Sequence, residues 1–373
     1  GIDLRLRHEA RGLDIDRATL TVVDLDNDKE THETFDALVI ATGARAAVPP
    51  ISGLRDAGFL TNHDVFNLTE RPRRLAVVGG GPIGCELAQA FARLGSEVTI
   101  IEMADQFLQR EDRDAAQVLR SSFDRDGIKV CLSTTLEKVE VAGKEKVLIL
   151  SGQGGWHPVI VDKILLAVGR TPNVEGLNLE TAGVAYDRAG VRVDDFLRTT
   201  NRRIYASGDV CLRHKFTHTA EAASRAVIQN ALFPGPRKRM SKLIIPWCTY
   251  TDPEVARVGL NIQEAREKNI PFEVTEYGID DLDRAIADSE DHGFVRVLTR
   301  PGSDRILGVT IVGAHAGDLI AECALAIEMG AEAGDIGLTI HPHPTLSETV
   351  GMAAEVFEGT VTDLYAPRRK TGA

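Results

Sequence analysis

The chain has 373 residues, 43% hydrophobic and 26% charged, enough for two or three domains with sizeable cores, which excludes a single small module and a disordered chain. Against 43 Lys and Arg stand 55 Asp and Glu, a formal charge of −12, and aromatic residues make up 5%, so the basic footprint and stacking platform of a nucleic-acid binder are both missing. No apolar run approaches the roughly 20 residues that cross a bilayer, and the opening GIDLRLRHEARGLD has no signal-peptide h-region; a cytoplasmic chain with no membrane partner is expected. The five cysteines, Cys85, Cys131, Cys211, Cys248 and Cys323, are odd in number and far apart, which fits reduced thiols and gives no zinc or redox spacing.

In chain order, the first informative segment is DALVIATGARAAVPPISG, residues 36 to 53, a short apolar run ending at Thr42-Gly43 and followed by an Arg and a Pro-containing loop. Residues 75 to 102, LAVVGGGPIGCELAQAFARLGSEVTIIE, read as strand, glycine turn, amphipathic helix and strand, with Ile83, Leu87, Phe91 and Leu94 at helical spacing and Gly95 as the stop. Helical pattern returns from Glu111 to Asp126, and Lys129 to Leu150 read as strands with a hairpin at Ala142-Gly143. DKILLAVGRTPNVEG, residues 162 to 176, repeats the punctuation of the first segment at Val168-Gly169. The two segments read as returning strands that close two related nucleotide-binding units, the alternative being two unrelated buried strands. RRIYASGDV ends another short strand at Asp209, a helix is predicted from Thr219 to Leu232, and PGPRKRMSK, residues 234 to 242, reads as a solvated boundary. Beyond it, strands at 293 to 299 and 305 to 312 precede a helix from Asp318 to Met329, the order of an α+β domain.

Gly79, Gly81 and Gly84 fit G-x-G-x-x-G between a strand and a helix, and Glu102 ends the next strand 18 residues past the last glycine. Gly79 permits the tight turn, Gly81 lets the backbone approach a pyrophosphate, and Gly84 allows helix and strand to pack closely, while the helix N-terminus stabilises negative charge. Glu102 reads either as the acceptor for both adenosine ribose hydroxyls or as a strand-end carboxylate. In the first case a 2′-phosphate meets a like charge, and residues 103 to 109, MADQFLQ, carry no Arg or Lys to hold one, so NAD is favoured over NADP.

These pieces, in this order, resemble the flavin-dependent pyridine nucleotide-disulfide oxidoreductases, the family of dihydrolipoamide dehydrogenase, glutathione reductase and mercuric reductase. The matching motifs are ATG at 41 to 43, GGGPIGCELA at 79 to 88, AVGRTPN at 167 to 173, IYASGDV at 204 to 210, TDPEVARVG at 251 to 259 and HPHPTLSE at 341 to 348. The resemblance implies an α/β fold in which a Rossmann-type NAD-binding domain, residues 59 to 169, is inserted in a partial FAD-binding domain, residues 1 to 58 and 170 to 242, with a C-terminal α+β dimerisation domain, residues 243 to 373. It implies that Thr42, Gly43 and Asp209 lie against FAD, with Thr217 and Ala220 near the isoalloxazine. It also places Gly79, Gly81, Ile83, Gly84, Glu102 and Gly169 in the cofactor-binding set, and Glu86 where nicotinamide meets flavin. His343 and Glu348 match the family's acid–base pair, which handles the thiol proton across a homodimer; His341 is left as structural.

The departures are informative too. Family members begin with an FAD-binding βαβ unit of their own and a helix bearing a redox cysteine pair, whereas this sequence opens just before the ATG strand, so an N-terminally truncated chain is expected. ELAQAFARLGSEVT, residues 86 to 99, is especially close to mercuric reductases, yet the tail YAPRRKTGA lacks their vicinal cysteines and His343 stands where they carry tyrosine. Pro82 replaces the aromatic gate of glutathione reductases. The resemblance therefore implies an FAD-dependent enzyme that passes a hydride from NADH to flavin and then electrons to a disulfide, small-molecule or protein, as in cell redox homeostasis. Two alternatives stay open: a noncatalytic NAD-binding dimeric fragment, and a flavin-linked NADH oxidase, diaphorase or transhydrogenase that needs no cysteine pair.

Overall fold

The computed structural model describes residues 2–14, 16–152 and 155–359. The chain divides into two compact units, one of residues 1–47 with 170–243 and one of residues 48–169 with 244–373, so each is built from two separate stretches of sequence. The tail YAPRRKTGA lies outside the described residues.

The first unit opens with an antiparallel meander of His8–Asp14, Thr19–Asp24 and Lys29–Thr34. Leu38–Ile40, the strand before Thr42-Gly43, pairs in parallel with Ile204–Ala206, and Ala44–Ala46 pairs antiparallel with Arg170–Pro172. The two segments with matching punctuation thus meet: Asn173 N–H donates to Gly43 O at 3.0 Å, and the Thr42 hydroxyl donates to Asn173 O at 2.6 Å. Their core is Leu13, Ile40, Leu177, Leu179, Ile204, Ala206 and Val210. The helix expected from Thr219 starts at Thr217 and runs to Leu232, burying Thr219, Ala223, Ala226, Val227 and Asn230 at helical spacing. Asn230 explains why the charged stretch after this helix is exposed yet held. Its amide donates to Phe196 O and Lys238 O and accepts from Lys238 N–H, while Arg237 and Arg239 lie over the Phe196 ring at 5.8 and 5.4 Å.

The second unit contains a parallel sheet in the order Lys163–Leu166, Arg74–Val78, Glu97–Ile101, Lys129–Cys131. A parallel sheet is covered on both faces, which is why its strands read as unbroken apolar runs. Leu75, Ala76, Val77, Ile100, Ile164 and Leu165 are wholly buried. The predicted hairpin is present, with Ala142 opposite Glu145 and Gly143 at φ +65°. The helix Pro82–Arg93 differs from its sequence reading in the face it buries. Gly84, Cys85, Ala88 and Gln89 are inside, whereas Ile83 is half-buried and Leu94, at the helix end, is 67% exposed. Close approach to the sheet selects the small side chains, and the larger apolar ones flank them.

The remainder of this unit is a five-stranded antiparallel sheet, Trp247–Thr249, Glu254–Gly259, Ile306–Gly313, Phe294–Thr299 and Glu273–Gly278 in spatial order, with helices Ala316–Met329 and Glu348–Glu358 packed on it. Val255, Phe294 and Val312 of this sheet share one apolar cluster with Leu75, Ile100, Leu119 and Phe123. Two buried arginines reinforce the junction. Arg257, fully buried, stands 3.2 Å from Glu111, 3.0 Å from Glu264 and 4.3 Å above the Trp247 ring, and burial pushes the Glu111 carboxyl up against the pull of that cation. Arg296 bonds Asp112 at 3.2 Å, Asp114 at 3.0 Å and Glu276 at 2.8 Å. Asp112 in turn accepts the backbone N–H groups of Ile262 and Gln263.

Candidate functional site

Between the strand Arg74–Val78 and the helix Pro82–Arg93, the glycine turn is set by backbone contacts that leave no room for side chains. Gly79 sits at φ +107°, and a Cβ on it would lie 2.5 Å from Ala167 O; a Cβ on Gly84 would lie 2.0 Å from Gly79 O. At Gly81 the situation reverses, since a Cβ there meets nothing within 4 Å. The turn therefore presents bare backbone to open space at the start of a helix whose first residue is Pro82, where a missing N–H costs no bond. Such a cradle fits a pyrophosphate.

Glu102 is 8% exposed, and its carboxylate already accepts Gly80 N–H at 2.7 Å, Ala104 N–H at 2.9 Å and the Gln109 amide at 3.1 Å. Three of the roughly four acceptor positions of a carboxylate are thus in use. Glu102 thus shapes the turn itself, a duty the sequence pattern does not reveal. Further along the same helix, Glu86 accepts Tyr250 N–H at 3.0 Å, and burial raises its pKa against that bond. One turn on, Gln89 accepts Asp252 N–H at 2.7 Å and donates to Asp252 O at 2.8 Å, so residues 250 to 252 are clasped by two successive side chains of the helix.

In the first unit, Thr42, Gly43, Asp209 and Ala220 are linked through residues to which the sequence motifs assign no role. Asn173 donates to Thr42 O at 2.8 Å, and Arg170 donates to Ala44 O at 2.8 Å and holds its Nε 3.4 Å from Asp209. That Nε is buried without a hydrogen bond. Lys215 donates to Asp209 O at 2.6 Å, which fixes the backbone and leaves the carboxylate for other donors. Gly43, at φ +69°, has nothing within 4 Å of a notional Cβ, and Gly208, at φ +76°, packs against Ala220. Thr217 opens the 16-residue helix beside it. An open backbone corner and a carboxylate with acceptor positions left over beside its Arg170 ion pair suit a polyhydroxylated, phosphate-bearing group such as FAD. Gly169 is likewise at φ +107° with open space before it, and Arg170 follows directly.

His343 and Glu348 stand together, Nδ1 to Oε1 at 3.0 Å, with the second carboxylate oxygen accepting Thr345 N–H at 2.8 Å. The imidazole is 64% exposed, and its Nε2 lies 3.8 Å from Asp283. A second pair, His341 with Glu322 at 2.9 Å, is half-buried. The five cysteines are free and at least half-buried; Cys85 and Cys323 are fully buried. Burial raises every one of these thiols, that of Cys211 to about 12. No group of three or more His, Cys, Asp or Glu side chains among the described residues has metal-binding geometry, and no helix among them is long and apolar enough to cross a membrane.

A nucleotide cradle on a parallel sheet, a second open glycine corner beside an Asp, and an exposed His–Glu pair define a dinucleotide-dependent oxidoreductase. Comparison with known proteins makes the class specific. Residues 1–226 match the pyridine nucleotide-disulphide oxidoreductase family, and residues 245–354 match its dimerisation domain. The chain belongs to this family of flavoprotein enzymes, which use FAD and NAD(P)H to exchange electrons with disulfides. It is 37% identical over 357 residues to a dihydrolipoyl dehydrogenase of Vibrio cholerae, covering 93% of this chain and 73% of that one. It is 33% identical over 362 residues to a mercuric reductase of Staphylococcus aureus, covering 95% of this chain and 65% of that one. Among solved structures, the Cu(II) complex of the HOCl-induced flavoprotein disulfide reductase RclA from Escherichia coli superposes with a TM-score of 0.84 at 28% identity, over 93% of this chain and 78% of that one.

Proposed function

We propose that this chain takes its electrons from NADH, bound at Gly79, Gly81, Ile83 and Gly84 with Glu102 at the ribose, and delivers them to a disulfide. The observation that carries the reading is the open backbone at Gly81, framed by two glycines that cannot accept a Cβ. Glu102 is held in place by three donors and carries a charge that a 2′-phosphate would oppose, which favours NADH over NADPH. Thr42, Gly43, Asp209, Thr217 and Ala220 would hold FAD, with Gly169 preceding the Arg170 that faces Asp209, and Glu86 would stand beside the nicotinamide. When bound, FAD supplies the two-electron relay between nicotinamide and sulfur.

His343 manages the proton. With Nδ1–H donated to Glu348, its Nε2 lies on an exposed edge 3.8 Å from Asp283, where it can take a proton from a thiol and return it. Residues 243 to 373 would form a homodimer, in line with the exposed Met329, Leu338 and Ile340 at 75%, 85% and 95%. Unbridged cysteines fit a reducing compartment such as the cytoplasm. The five thiols also favour a second reading. Burial keeps all of them protonated at neutral pH, so a flavin-linked diaphorase, oxidising NADH without a thiol substrate, matches the described residues as well.

NADH fluorescence titration of the wild type and Gly81→Val tests the cradle. The wild type should bind NADH more tightly than NADPH, and the valine should weaken NADH at least about tenfold with the fold unchanged, because a side chain would stand where the pyrophosphate approaches. Equal NADH binding by both proteins would refute the assignment. Disulfide-dependent NADH oxidation would select the first reading, dye reduction without a disulfide the diaphorase, and NADH binding with neither reaction the noncatalytic fragment.

A further inference from the structure

His341 and His343 occupy one short segment and are treated in opposite ways. From Leu338 to Pro344 every residue except His341 is exposed. The His341 side chain is 10% exposed, with Nε2 2.9 Å from Glu322 of the helix Ala316–Met329. Its ring lies so close to the helix Glu348–Glu358 that a Cβ on Gly351 would come within 2.9 Å of Nδ1. Upstream, Leu338 N–H donates to Gly334 O at 3.0 Å, and Thr339 donates to Ile336 O at 3.0 Å through its N–H and to Asp335 O at 2.9 Å through Oγ1. Pro342 and Pro344 have no N–H to give, and the bonds that follow, Thr345 Oγ1 to Pro342 O at 2.6 Å and Thr345 N–H to Glu348 at 2.8 Å, both lie on the C-terminal side.

We propose that His341 is a positioning residue. Wedged between the two helices and tied to Glu322, it fixes the segment between Thr339 and His343, so that the His343 ring meets Glu348 through Nδ1 and presents Nε2 outward. This inference rests on the reading of His343 as the acid–base group. Gly351 belongs to the same device, because any side chain there would push the wedge out.

The test uses the full chain with histidine labelled in ¹⁵N. In the wild type, His343 should show a single tautomer with the proton on Nδ1. His341→Ala should give a mixture of tautomers at His343, and His341→Gln, which can still donate to Glu322, should restore the single form. In the flavin-loaded enzyme, His341→Ala should lower kcat about tenfold or more with KM for NADH unchanged, as loss of orientation without loss of binding requires. Should His341→Ala fail to fold, Gly351→Ala gives the same readout by displacing the ring without removing it. An unaltered His343 tautomer and unaltered kcat in the folded variants would overturn the proposal. If no variant and no wild-type sample reduces a disulfide, the acid–base reading fails, and the tautomer alone still decides whether His341 orients His343.

Discussion

The glycine turn at Gly79–Gly84 and the corner at Thr42-Gly43 follow similar strands and are held by different means. The first is fixed by backbone packing: a parallel sheet of four strands behind it, and two glycines with carbonyl oxygens within 2.5 Å of any added Cβ. The second follows a strand paired with one parallel neighbour and is held by polar bonds from Asn173 and Arg170. A turn fixed by packing tolerates no change of volume, whereas one fixed by side-chain bonds loses them one at a time.

The largest effect should come from the charges buried where the parallel sheet's unit meets the five-stranded sheet. Arg296→Met leaves Asp112, 6% exposed, without its cation, and should cost about 3–5 kcal/mol in urea unfolding. The same arginine sets a pH dependence. Burial alone would raise the Asp114 carboxyl, but the bonds from Arg296 outweigh it and hold the group below its ordinary value. A carboxyl whose pKa is depressed on folding contributes fully above its unfolded value of about 3.9 and loses that contribution as pH falls through the folded value. The wild type should therefore lose more of its Tm than Arg296→Met does between about pH 5 and about pH 3; parallel losses would contradict the network. Next comes Gly84→Ala, whose methyl meets Gly79 O at 2.0 Å, a backbone atom that cannot swing aside. About 1–3 kcal/mol of overpacking is expected, with weakened NADH binding seen by fluorescence. Asn173→Ala should have the smallest effect, about 1 kcal/mol for its bonds to Thr42 and Arg45. It should lower FAD retention and leave NADH affinity alone, and an equal loss of both would erase the contrast between the two turns.

Much of this is legible in the sequence because it is local. The strand, glycine turn, helix and acid of residues 75 to 102 fall within one stretch, as do His343 and Glu348, five residues apart. What the sequence hides is set by pairing at long range. Nothing near Arg257 or Arg296 announces that each will be buried against carboxylates of residues 111 to 114, and nothing near His341 points to Glu322, 19 positions earlier. The buried stripe of the helix Pro82–Arg93 escapes a hydrophobicity reading for a different reason. Close packing on a sheet rewards small volume, so Gly84, Cys85 and Ala88 go inside while larger apolar residues at proper spacing stay at the edge. Asn173 and Arg170 stand in plain view after Gly169, yet their role appears only when the strand Arg170–Pro172 is seen paired with Ala44–Ala46.

The most direct test of the central claim is the visible absorbance spectrum of the purified chain supplemented with FAD and then treated with NADH under anaerobic conditions. A protein-bound flavin band that bleaches on adding NADH, and bleaches less readily in Gly81→Val, is the expected result. A bound flavin that NADH leaves oxidised would contradict the account, because both turns would then be in place without the electron transfer they are read to serve.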